Sequence, residues 1–144
     1  MTVFDTSSAF VYSTVYYNSY RGSQMLAVPI KISNQMLNFQ VLPKDSAWSS
    51  AAGVYMFCVS PGLLGGLRLL PKYIGQARNF ADRIGNHERW EEASALGANC
   101  VMAAIVDNAA DREVIERELI ARYQPELNEQ FRSAGLLGGY TYTH

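Results

Sequence analysis

Tyr73, Arg83 and His87 lie within fifteen residues of one another, and their side chains suit chemistry on a phosphate. A short apolar run carries Tyr73 and closes at Gly75. Asn79 then has the chemistry of a helix cap, since its side-chain oxygen can take a free backbone N–H of the first turn. In the helix that follows, Phe80 and Ile84 are four apart and share a buried face. Arg83 and His87 are also four apart, so the spacing predicts that they share a second face. A strand thus hands over to a helix that presents a guanidinium and an imidazole beside a phenol. The same stretch also fits an ordinary strand-to-helix turn with solvated charges.

A carboxylate stands out further along. Residues 107–123 read as the best helix in the chain, capped by Asn108 or Asp111 and ended by Pro125. Ile115, Leu119 and Tyr123 form its apolar stripe, with Val114 at the edge. Glu113 precedes Arg117 by four, and Glu118 precedes Arg122 by four. Such pairs contribute about 0.2–0.5 kcal/mol each. Glu116 has no basic residue four places on: three and four residues on come Leu119 and Ile120, and Arg112 stands in the poorer order. Its carboxylate is expected to be partly desolvated and to need a metal ion or a distant arginine. A boundary glutamate that reaches out to water is the alternative.

The elements that must position these groups follow from the pattern. Gly53–Val59 is apolar on both alternating faces and reads as a central strand covered on both sides. Residues 60–71 read as a long loop, whose leucines cover core or a partner, and 72–75 as the next strand. Residues 100–106 read as a buried strand in the same sheet. Residues 87–96 read as a second helical segment ending near Gly97. Upstream, 27–32 and 37–42 form a hairpin about Ser33, Asn34 and Gln35. Residues 43–52 read as a loop, with Trp48 packed over the edge of the domain. Tyr12, Tyr16, Tyr17 and Tyr20 mark a first segment that suits an edge strand, an arm on a partner or a base-stacking row. No internal repeat is present.

Composition narrows the class. The chain has 144 residues, 49% of them hydrophobic and 17% charged, which suits one globular domain rather than disorder. The formal net charge of -1 argues against strong non-specific binding to DNA, although a local basic patch can sit on a neutral whole. Cys58 and Cys100 fall in apolar runs and read as buried thiols without zinc spacing. No signal pattern and no bilayer-length apolar run is seen, so the chain is expected to be cytoplasmic, with no membrane partner.

Taken together, Gly53-Val54-Tyr55, then Tyr73-Ile74-Gly75, then Asn79, Arg83 and His87, then Glu116, Leu119-Ile120, Pro125 and Asn128, resemble the GIY-YIG endonuclease superfamily. The resemblance covers roughly 53–128. It implies an α+β fold with a small antiparallel β-sheet flanked by helices. The chain reads as three parts: an N-terminal extension (1–52) expected to pack on the core, a nuclease-like domain (53–132) where the resemblance lies, and a Gly-rich tail (133–144). The implied activity is hydrolysis of DNA phosphodiester bonds with a single divalent ion, Mg²⁺ or Mn²⁺. Glu116 would hold that ion. Tyr55 and Tyr73 would flank the attacking water, one as general base. Arg83 would bind the phosphate, and His87 would orient water or assist a tyrosine. Gly75 and Arg78 would line the substrate, and Asn128 would brace the site. Departures exist. The linker between the two tyrosine motifs is long, and Gln76 stands where some repair-type members carry lysine. No appended DNA-binding domain is apparent, so target choice would fall to the N-terminal segment, the Leu-rich loop, a homodimer or a partner protein. The rival function is a catalytically silent nucleic-acid- or protein-binding module on the same fold.

Overall fold

A computed structural model describes residues 11–12, 18–20, 23–60 and 68–128. Its strands are β1 (Val11–Tyr12), β2 (Asn18–Tyr20), β3 (Ser23–Ile32), β4 (Gln35–Leu42), β5 (Gly53–Val59), β6 (Arg68–Ala77) and β7 (Cys100–Ile105). Its helices are α1 (Phe80–Gly85), α2 (Trp90–Ala95) and α3 (Ala109–Tyr123). The strands form one sheet in the order β1-β6-β5-β7-β4-β3-β2, with every described pairing antiparallel. The fold is therefore α+β, with an antiparallel sheet flanked by helices. Among the described residues no helix is long and apolar enough to cross a membrane.

β5 is central because it can be buried on both faces. Val54, Met56 and Cys58 join the larger core, with Ile74, Met102, Phe39 and the α3 residues Ile115, Leu119, Ile120 and Tyr123. Tyr55 and Phe57 point the other way, into a second cluster with Val101, Phe80, Ile84 and Ala93 from beside α1 and α2. A period of two thus divides one strand between two cores. Cys58 and Cys100 are free, buried thiols opposite one another on β5 and β7. Gly53 is required where β5 begins, because a Cβ there would overlap the Ala104 carbonyl and the Phe80 ring.

The β3–β4 hairpin turns on two residues, Ser33 and Asn34, at φ 51° and 64°. Two positive φ values match the hand of a tight hairpin turn to the twist of its strands. Gln35 belongs to β4. Asn79 caps α1 by accepting from the Asp82 N–H, and Asn108 caps α3 by accepting from Asp111. Gln124, at φ 50°, closes α3 just before Pro125. Arg112 is buried, and its Nη1 donates to the carbonyls of Val106 and Asp107.

Several expectations need correction. β6 begins at Arg68, so Leu69, Leu70 and Pro71 are strand rather than loop. Pro71 is tolerated because the register shifts there: Phe57 faces Tyr73 and Cys58 faces Pro71, leaving Lys72 as an extra residue. Ile105, at the end of β7, is 63% exposed, and Val114 is 57% exposed, off the stripe of α3. α1 stops at Gly85, so Arg83 and His87 do not share a helical face. The Tyr16 and Tyr17 expectations, those for Leu63, Leu64 and Leu67, and the tail 133–144 lie outside the described residues.

Candidate active site

Tyr55 and Tyr73 come from neighbouring strands, β5 and β6, and their rings meet over Gly75 with centroids 6.3 Å apart. A Cβ on Gly75 would stand 2.5 Å from the Tyr55 hydroxyl and 3.1 Å from the Tyr73 ring. Glycine is therefore what lets two phenols share one spot. His87 closes the group from the turn after α1. It packs edge-on to Tyr55, Phe57 and Tyr73 and is only 5% exposed.

The hydrogen bonds of His87 fix its protonation. Its Nδ1 accepts from the Arg89 backbone N–H at 3.0 Å. Burial, followed by the charge of Arg83, lowers its pKa to about 4, so the ring is neutral at pH 7. The single ring proton then sits on Nε2 and is donated to the Tyr55 hydroxyl oxygen, 2.6 Å away. The Tyr55 proton must point elsewhere. Arg83 addresses the same phenol through its charge and a side-chain hydrogen bond, both of which favour the phenolate. Burial is the larger effect, with Tyr73 adding to it, so the Tyr55 pKa is raised well above the ordinary phenol value. Tyr73 is raised too, first by burial and against the pull of Arg83.

Arg83 has a partner that the sequence did not reveal. Its two terminal nitrogens donate to Glu88 at 2.9 and 3.1 Å, and this contact holds the Glu88 carboxyl down at about 2. The pair is five residues apart, a separation that no helix spacing rule covers, and it forms because the chain leaves the helix at Asn86. Arg89 was also missed. It reaches over the Tyr73 ring at 5.8 Å and donates to the Leu127 carbonyl at 2.7 Å. Lys44, from the loop after β4, donates to the Gly85 carbonyl at 3.0 Å and acts on the charge of His87.

Glu116 approaches from α3. It is half-buried on α3, and Gln76, one residue past Gly75, donates to it at 3.0 Å. Its charge reaches both phenols, raising Tyr55 and Tyr73. Asn128 is buried and bonds both backbone groups of Ile74 at 2.8 Å, standing beside β6 as a neighbouring strand would. Arg78 is exposed just past the end of β6. Tyr55, Tyr73, Arg83 and His87 are thus brought together on one face, with Gly75 beneath them. Glu116 joins them electrostatically from α3, Asn128 supports β6, and Arg78 stands apart.

Among the described residues no group of three or more His, Cys, Asp or Glu side chains could hold a metal ion. A caged ion does not fit that arrangement. A hard ion that keeps its waters and shares substrate oxygens fits one half-buried carboxylate such as Glu116. Comparisons with family models, with curated proteins and with solved structures return no match.

Proposed function

We propose that this chain is a metal-dependent endonuclease of the GIY-YIG type, hydrolysing DNA phosphodiester bonds. The carrying observation is the convergence of Tyr55, Tyr73, Arg83 and His87 on one spot, within electrostatic reach of Glu116. Arg83 binds the phosphate and offsets charge that develops on it. Tyr55 can act as base only after its own phenolic proton has left to solvent. The phenolate, favoured by the His87 hydrogen bond and the Arg83 charge, then takes the proton of the attacking water. His87, with its proton on Nε2, steadies the phenolate rather than acting as base. Tyr73 flanks the same water, and Asn128 holds β6 in place. Glu116 would hold one Mg²⁺ or Mn²⁺, which supplies charge neutralisation at the phosphate and the leaving oxygen. After burial, the Glu116 charge adds to the rise of both phenols; neutralising it would lessen that rise. Lys44, Arg83 and Arg89 all act on His87, so cations gather here on a chain of net charge -1.

The second reading, a module that keeps the fold without cutting, draws on the Arg83–Glu88 pair, which engages the guanidinium meant for phosphate. One experiment separates the two. Supercoiled, linear and branched DNA are incubated with the protein and Mg²⁺ or Mn²⁺. Nicking by the parent is expected, with losses of about 10²–10³ or more in Arg83→Ala and Glu116→Gln. Arg83 lies off the buried Phe80/Ile84 face, so its variant should melt as the parent does. A parent that cuts none of these DNAs, or variants that cut at its rate, would overturn the assignment.

A further inference from the structure

Glu88 grips the working end of Arg83. Its two carboxylate oxygens accept one hydrogen bond each from the two terminal guanidinium nitrogens. This end-on pairing is the geometry in which an arginine holds a phosphate. The two side chains are 38% and 64% exposed, so the pair is screened by water and readily displaced. Glu88 follows His87 directly in the chain, and His87 touches Tyr55, so the pair lies beside the phenols.

We propose that Glu88 stands on Arg83 as a carboxylate substitute for the substrate phosphate, and so sets how strongly an anion must compete to enter. The inference rests on the reading of Arg83 as a phosphate clamp. A free phosphate has only this contact to gain and loses the competition. A phosphate within a nucleic-acid strand is held by its neighbours as well, and wins it. Glu88 is thus a selectivity residue that favours a polymer over small anions.

The test uses inorganic phosphate, which requires neither metal nor cleavage. Phosphate is titrated into the full chain while the His87 ring signals are followed by NMR, in the parent, Glu88→Gln, Glu91→Gln and the double variant Glu88→Gln/Arg83→Ala. Glu91 is exposed on α2 nearby and controls for the loss of one negative charge. Glu88→Gln is expected to bind phosphate at least threefold more tightly than the parent. Glu91→Gln should match the parent, and the double variant should lose the gain. Four results overturn the proposal: equal or weaker binding in Glu88→Gln, the same gain in Glu91→Gln, a gain that survives without Arg83, or no saturable shift in any protein. Cleavage of DNA by the parent is scored separately. A parent that cuts no DNA overturns the nuclease assignment, while the phosphate titration still decides the role of Glu88.

Discussion

His87 is neutral in the folded chain because burial outweighs everything that would charge it. Its pKa falls from 6.5 to about 4, so between those values the unfolded chain binds a proton that the folded chain refuses. The resulting stability is complete above about 6.5 and is lost as pH falls toward 4, by at most about 3 kcal/mol. Urea midpoints between pH 7 and pH 4.5 should therefore drop more steeply in the parent than in His87→Gln. Glu118 carries a second residue-scale expectation. The helix spacing marks it as half of a surface pair with Arg122, and that pair is present at 3.0 Å. Glu118 also accepts from the backbone N–H and the hydroxyl of Ser33, which ties α3 to the hairpin turn. Glu118→Gln should therefore cost about 1 kcal/mol, more than the pair alone, and leave cleavage intact. Glu116→Gln, assayed beside it on the same DNA, should abolish cleavage. A dead Glu118→Gln with an active Glu116→Gln would reverse their assignments.

α1 is six residues long, too short to hold itself together. The segment between β4 and β5 holds it at both ends. The carbonyls of Ala51 and Ser49 accept from the first N–H groups, at Phe80 and Ala81. Lys44 donates to the last carbonyl, at Gly85. Trp48 packs on Phe80 with centroids 6.3 Å apart and donates to Lys44. Trp48→Ala should cost about 1–3 kcal/mol. Cleavage should fall at least tenfold at a temperature where the variant remains folded, because α1 carries Arg83; a melt and a nicking assay on one preparation check both. The sequence was readable wherever the rule is local. Asn79 announced its helix, Asn108 was one of two candidate caps for α3, and Ser33, Asn34 and Gln35 marked the turn, because a cap or a turn is decided by two to four residues. The brace on α1 was not readable, since it joins residues about thirty to forty apart in sequence. The meeting of Arg83 with His87 was expected from helical spacing and arises instead from a chain that leaves the helix.

At the scale of the whole molecule, β5 lies between β6 and β7 with helices over both its faces. Amides in β5 should be the slowest to exchange with solvent, because only global opening exposes them. Those of α2 should be fast, since it is one short helix whose first residue has no side-chain cap. Native-state hydrogen exchange followed residue by residue checks the order. The alternation in Gly53–Val59 made this strand's position legible. The contact of Glu116 with Gln76 was not legible, because helical spacing shows which side of α3 is apolar but not which edge of the sheet that side meets.

The division of β5 has a consequence for how the chain can drift. Val54, Met56 and Cys58 answer only to packing, so apolar residues of similar volume can replace them at modest cost. Tyr55 and Phe57, one position away on either side of Met56, form the wall on which His87 rests. Any change there alters the site and the core together. Neighbouring positions of a single strand should accordingly accept substitution at very different rates: a library randomised across β5 and selected for folding alone would vary on both faces, and one selected for cleavage would vary only on the side that faces α3.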